Sequence, residues 1–173
     1  MSAADESEAA LLARLEGLGI GYVRYVHAPM FTVEDGQALY AGMPGGHAKN
    51  LFLKDRKGAL FLAVVEAGTP VSMRALEKRL GAARLSFGRP ELLAEVLGVT
   101  PGAVTPFALM NAAPGRLAVV LDEALMGFDT VHFHPLRNDV TLGVSPAGLL
   151  AFLAATGHEP IRFAFRELPG PPI

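Results

Sequence analysis

Three places in the chain bring together residue types that could do chemistry. The first is Gly45-Gly46-His47-Ala48-Lys49-Asn50-Leu51-Phe52-Leu53-Lys54-Asp55. A glycine pair permits positive φ or the close approach of a ligand to the backbone. Lys49 and Asn50 then stand where a flexible entry meets the strand-like run Leu51-Phe52-Leu53, a placement that can hold polar groups accurately against a ligand. The same residues also read as a solvated hairpin, in which Lys49, Lys54, Arg56 and Lys57 keep a sheet edge soluble. The second place is Gly102-Ala103-Val104-Thr105-Pro106. Pro101 and Pro106 stiffen its ends, and the N–H groups of residues 102–105 are left to hold a carbonyl or oxyanion. An ordinary proline-rich connection is the alternative. The third is His132-Phe133-His134. Positions i and i+2 of a strand share a face, so the imidazoles form either a pair of metal ligands or one polar site residue beside one structural histidine. His27, His47, His158, Asp122 and Asp139 are scattered, no third ligand stands out, and neither metal nor cofactor is expected.

Other constellations fail. No glycine directly precedes Lys49 and no Ser or Thr follows it, so the glycine-rich segment is not a phosphate loop. There is no Gly-x-Ser-x-Gly elbow. The absence of cysteine excludes disulfides, thiolate metal sites and a cysteine nucleophile.

The elements that must position these residues follow from spacing and punctuation. Leu11, Leu12, Leu15 and Leu18 predict a helix over 9–18, with Asp5, Glu6 and Glu8 at its favourable end. Residues 22–26 read as a strand. Thr32 followed by Asp35 predicts a capped short helix through Leu39 and Tyr40, and 42–46 a loop. Residues 60–65 are apolar throughout, which predicts a strand buried on both faces that pairs with the Lys49 strand across Lys57-Gly58. Ser72 caps a helix over 73–80, residues 84–87 make a short strand, and Pro90 opens a helix closed by Gly98. Strands follow at 117–121, 130–134 and 140–144, then a helix from Ser145-Pro146 to Ala155, a last strand at 161–165 and a frayed tail at 168–173.

With 173 residues, 51% hydrophobic and 18% charged, the chain is expected to form one globular domain over 1–173. A net charge of −2 argues against a globally basic nucleic-acid binder. Phosphate contacts would need a local patch drawn from Lys49, Lys54, Arg56, Lys57, Arg74, Lys78, Arg79 and Arg84. No apolar run reaches the length of a membrane span and the acidic start is no signal peptide, so a soluble, cytoplasmic protein is expected.

Taken in order, these segments resemble the prolyl-tRNA synthetase editing-domain family, the YbaK/ProX-like proteins. The residues that carry the resemblance are Lys49 to Asp55, Gly98 to Phe107, and Phe133-His134-Pro135 followed by Asn138-Asp139. It extends from about Leu11 to Phe165 and is nearest to the free-standing branch that removes alanine from mischarged tRNA(Pro). Lys49 matches the family's strand-opening lysine, Gly102 to Pro106 its Gly-x-x-x-Pro loop, and His134 its late histidine. Ala108 stands where many members carry glycine, a difference that bears on pocket size.

The resemblance implies an α+β (mixed α/β) fold: a mostly antiparallel, barrel-like mixed sheet flanked by helices, with a tRNA 3′ end in its cleft. The implied reaction is hydrolysis of the aminoacyl ester at the terminal adenosine. Lys49 would anchor phosphate or substrate oxygen as a point charge. Gly102, Ala103, Val104, Thr105, Pro106 and Phe107 would orient the amino acid and polarise its carbonyl, with Lys54 as a further substrate contact. Asn50 and His134 would position substrate groups or water, and the base is either a ribose hydroxyl of the substrate or His134. The implied partner is tRNA, with prolyl-tRNA synthetase as a second candidate, and neither membrane nor DNA. The chemistry is physically reasonable. Small apolar differences are worth only about 1–3 kcal/mol, so a pocket sized for proline rejects alanine poorly and a second site restores accuracy. Two other classes stay open: a nucleic-acid-binding module without catalysis, and a small-ligand or metal enzyme built on His132 and His134.

Overall fold

Strand β2 (Gly46–Asp55) has a different partner arrangement on each of its edges. The computed structural model of the chain describes residues 1–172. On one edge β2 pairs antiparallel with β3 (Leu60–Glu66), in register from Ala48 opposite Glu66 to Lys54 opposite Leu60. The other edge is divided. Strand β6 (Val131–Phe133) runs parallel beside Gly46 and His47. Strand β4 (Leu85–Phe87) runs antiparallel beside Leu53, Lys54 and Asp55. Between them, residues 48–51 have no strand partner on that edge, and the Phe52 carbonyl accepts from the Gly88 N–H at 2.9 Å just beyond β4. Together with β1 (Val23–Val26), β5 (Ala118–Asp122), β7 (Val140–Val144) and β8 (Ile161–Phe163) the sheet runs β1-β7-β6-β2-β3-β5-β8, with β4 attached to β2. Parallel pairs at β2–β6, β3–β5 and β5–β8 and antiparallel pairs elsewhere make it the mixed sheet that the sequence leads one to expect.

The apolar run of β3 is buried along both faces because each face has its own cover. Leu62 and Val64 meet α1 (Ala3–Gly17), α4 (Pro90–Leu97) and α5 (Pro146–Ala155) through Leu15, Leu97 and Phe152. Phe61, Ala63 and Val65 meet α3 (Met73–Leu80) through Leu76, with Phe165 beside it. Helix α2 (Val33–Tyr40) begins at the capping box of Thr32 and Asp35, as its sequence predicts.

Four expectations change. Helix α1 starts at Ala3, well before its apolar spacing begins, because Ser2 and Asp5 form a capping box. Gly46 is already strand, so Lys49 lies inside β2 and does not open it. The proline-bracketed connection is wound into two 3-10 turns, Pro101–Ala103 and Pro106–Asn111. The tail is anchored further than a frayed end would be: Leu168 packs on the Leu76 cluster, and a Cβ on Gly170 would lie 2.9 Å from Ser72 Oγ. Ile173, the end of the expected tail, lies outside the described residues. Among the described residues no helix is long and apolar enough to cross a membrane.

Candidate active site

The unpaired stretch of β2 borders a small cavity. After the His47–His132 pair, β2 and β6 separate, and Ala48 and Asn50 from one and Phe133 and His134 from the other line the gap. Thr141 from β7, and Met30, Tyr40 and Met43 from the segment around α2, close the rest. The cavity volume is about 30 Å³, room for a water or two. Two of the lining residues carry a buried acceptor without a partner. Asn50 Oδ1 is buried without a partner while its Nδ2 donates to Val104 O at 3.1 Å. His132 Nδ1 is likewise buried and unpartnered, because the ring spends its N–H on Pro44 O through Nε2 at 3.0 Å. Burying such groups unpaired is costly, and His132 Nδ1 faces Gly143 of β7, 3.1 Å from where a Cβ there would be.

The histidines are held by backbone carbonyls. His134 donates from Nδ1 to Val140 O at 2.9 Å, which leaves Nε2 as its lone-pair nitrogen. His47 donates from Nε2 to Met43 O at 2.7 Å. Its ring is sandwiched between Tyr40, 3.7 Å from centroid to centroid, and His132 at 4.6 Å. Burial holds the imidazoles of His47, His132 and His134 below their usual pKa, so all three are neutral at pH 7. His132 and His134 do share a face, but each commits a ring nitrogen to a carbonyl. Among the described residues no group of three His, Asp or Glu side chains gathers to hold a metal.

The 102–106 loop reaches β2 at the point where strand pairing is missing. The Asn50–Val104 bond ties it there. Thr105 is fully buried, and its hydroxyl accepts from the Phe107 N–H at 3.2 Å to start the second turn. Not all the expected donors are free: the Ala103 N–H is spent on Thr100 O at 2.9 Å. Gly102 does not adopt positive φ. Its lack of a side chain makes room instead: a Cβ would stand 3.3 Å from Asn138 Nδ2 and 3.6 Å from Phe31 Cδ1. Asn138 also donates to Met30 O and thereby joins loop, cavity wall and the β6–β7 connection.

Several expected site residues stand elsewhere. Phe107 is fully buried in the core, edge-on to Phe133 and Phe152, so it supports the loop from behind and does not line the cavity. Lys54 lies opposite Ser86 of β4, beside Arg56 and Arg84. It lies four positions along the strand from Asn50, about 13 Å. Lys49 is adjacent to Asn50, yet alternation sends its side chain to the other face, with Leu51 and Leu53. There it is partly buried. Desolvation lowers its pKa, and the carboxylates of Glu66 and Asp122 oppose that shift. The glycine pair does not open a path for a ligand. A Cβ on Gly45 would sit 2.4 Å from Thr130 O, and one on Gly46 2.5 Å from the Phe128 ring, so this space belongs to packing between β2 and the entry to β6. Sequence reasoning missed Met30, Tyr40, Met43 and Thr141 as cavity walls, and named His47 only within the glycine-rich stretch and among scattered metal-ligand candidates. The only signal for any of them was the Thr32–Asp35 cap, which sets the helix that carries Tyr40.

Residues 27–152 match the family model of the aminoacyl-tRNA editing domain. Prolyl-tRNA synthetase associated domain-containing protein 1 of Danio rerio is 39% identical over 153 residues, which cover 87% of this chain and 83% of that protein. Prolyl-tRNA editing protein ProX of Acetoanaerobium sticklandii is 31% identical over 154 residues, 88% of this chain and 94% of that one. A crystal structure described as that of a candidate trans-editing enzyme for prolyl tRNA synthetase superposes with a TM-score of 0.70 over 94% of this chain and 97% of that chain; at 23% identity the likeness is one of fold. The matched segment contains every residue that lines the cavity and the whole 102–106 loop. The chain belongs to the aminoacyl-tRNA editing-domain family and is an aminoacyl-tRNA deacylase.

Proposed function

We propose that the chain edits in trans and that its preferred substrate is Ala-tRNA(Pro). The observation that carries this reading is the size and lining of the cavity. The cavity is small, about 30 Å³, room for a water or two, and in this reading it admits the methyl group of alanine and excludes the three ring methylenes of proline. Selection by exclusion is what an editing site requires, since the smaller side chain is the one to be removed. In this reading the 102–106 loop orients the acyl group. Asn50 Oδ1 accepts from the substrate's ammonium group or from water. Lys49, on the opposite face of β2, anchors a phosphate of the 3′ end. Water attacks the ester carbonyl, the bond to the ribose oxygen breaks, and alanine and free tRNA leave. The proton of that water passes to the departing ribose oxygen, relayed by the neighbouring ribose hydroxyl of the substrate or by Nε2 of His134.

The test is a panel of aminoacylated tRNAs followed for loss of the ester. Ala-tRNA(Pro) is expected to be cleared while Pro-tRNA(Pro) is spared. Equal rates on the two would refute the selectivity, and an intact ester on every tRNA in the panel would refute the reaction.

A further inference from the structure

Phe31 is 76% exposed, more than any other large hydrophobic residue described except Met1. A stray exposed hydrophobic side chain is ordinary, but Phe31 is not placed like one. Its N–H donates to Asp35 Oδ2 at 3.0 Å, and the neighbouring Thr32 N–H donates to the same oxygen at 3.1 Å. The backbone is therefore fixed while the ring stands in solvent. Next to it, Met30 lines the cavity and is bonded through both its N–H and its carbonyl to Asn138. The ring edge lies against Gly102, 3.6 Å from where a Cβ would be. A rigidly mounted aromatic face thus sits one residue from the cavity wall and touches the loop proposed to orient the acyl group.

In an aminoacyl-tRNA the ester is on the ribose of the last nucleotide. When the acyl group enters the cavity past Met30, the base on that same ribose is the first planar group that can reach a ring one residue away. Exposed aromatic rings bind unpaired bases by stacking, whatever the base. We propose that Phe31 is the stacking platform for the base of the 3′-terminal nucleotide. This assignment rests on the deacylase reading above, and its test is separable from it.

The chain contains no tryptophan, so Phe31→Trp introduces a single indole at the platform. Titrating that variant with the unesterified trinucleotide CCA is expected to quench its fluorescence to saturation, and a trinucleotide with an abasic last position is expected to quench far less. In steady-state deacylation of Ala-tRNA(Pro), Phe31→Ala should raise KM about tenfold, equivalent to about 1.4 kcal/mol, with kcat within about twofold. Phe31→Trp should keep the parental KM, and Phe31→Leu should behave like Phe31→Ala. Equal quenching by the abasic trinucleotide, or none by CCA, would overturn the platform. So would a parental KM in Phe31→Leu, or a Phe31→Ala variant that loses kcat together with melting temperature, since those mark a packing role. If the parent deacylates no tRNA, the deacylase reading fails while the indole titration still decides this one.

Discussion

Asn50 and Lys49 are neighbours in the chain and leave β2 on opposite faces, so substitutions at the two sites separate two roles. Asn50 holds the 102–106 loop through Nδ2 and carries a buried Oδ1 without a partner. Lys49 is partly buried beside an apolar face, with only the more distant pull of Glu66 and Asp122 to stabilise its charge. Lys49→Ala is expected to leave stability within about half a kcal/mol and to lower the deacylation rate at least tenfold, about 1.4 kcal/mol of transition-state stabilisation. Lys49→Arg should not restore the rate, because a planar guanidinium does not replace a compact ammonium. Lys57→Ala, in the exposed turn after β2, is the control. Rates and melting curves on the three variants check this, and equally small losses at positions 49 and 57 would return Lys49 to the surface. Gly102→Val belongs to the same scale. Its backbone is not strained, so the cost is one of space against Asn138 and Phe31. Single-turnover rates should fall by more than tenfold while the melting temperature moves by only a few degrees, roughly what 1 kcal/mol does in a chain of this size. A variant that edits and melts like its parent would take the loop out of the mechanism.

At the scale of elements, the site exists because β2 changes partners. Gly45 and Gly46 let β2 approach the entry to β6 closely, through the bond from Gly46 N–H to Thr130 O at 2.8 Å. Beyond that approach the strands part and the cavity opens. Gly46→Ala would place a methyl 2.5 Å from the Phe128 ring and is expected to cost about 1–3 kcal/mol, as overpacking does. Phe128→Ala in the same chain should recover part of that loss, a coupling that a double-mutant cycle in denaturant measures; strictly additive losses would mean that the clash is relieved elsewhere. Most of the elements were legible in the sequence, because caps and breakers announce them. Ser72 and Gly81 bound α3, Arg89-Pro90 and Gly98 bound α4, and Ser145-Pro146 opens α5. Pairing was not legible. Nothing local to His132 says that it lies beside His47, or that the β2 edge has no strand partner over residues 48–51, because register across long separations depends on contacts that periodicity does not encode. The cavity walls were hidden for the same reason. The Asn50, Gly102 and His134 neighbourhood was marked by residue type, whereas Tyr40 and Thr141 acquire their place from the fold alone.

The whole molecule should report on its buried histidines through pH. His47 and His132 are stacked face to face beneath Tyr40, and burial is the first cause that keeps each below the usual imidazole pKa. For His47 the neighbouring His132 deepens the shift, while the Met43 carbonyl and the Glu66 charge work against it. A base with a lowered pKa in the folded state binds fewer protons there than in the unfolded chain. Stability therefore rises with pH across the interval between the two values. The contribution of these rings is complete above the unfolded value of about 6.5 and is lost as pH falls from there toward the folded values. The carboxylates do not mimic this. Hydrogen bonds with Ser2 lower the pKa of Asp5 and the Arg137 ion pair lowers that of Asp139, so their loss of stabilisation begins below the ordinary aspartate range of about 4. The melting temperature is thus expected to be flat from pH 8 to pH 7 and to decline between pH 6.5 and pH 5. A chain carrying His47→Gln and His132→Gln, less stable at pH 8, should decline less over that window, because an amide keeps hydrogen-bonding capacity and has no proton to gain. A parental melting temperature that stays level down to pH 5 would mean that the stacked rings accept protons without strain, and the neutral, tightly packed wall of the cavity would have to be abandoned.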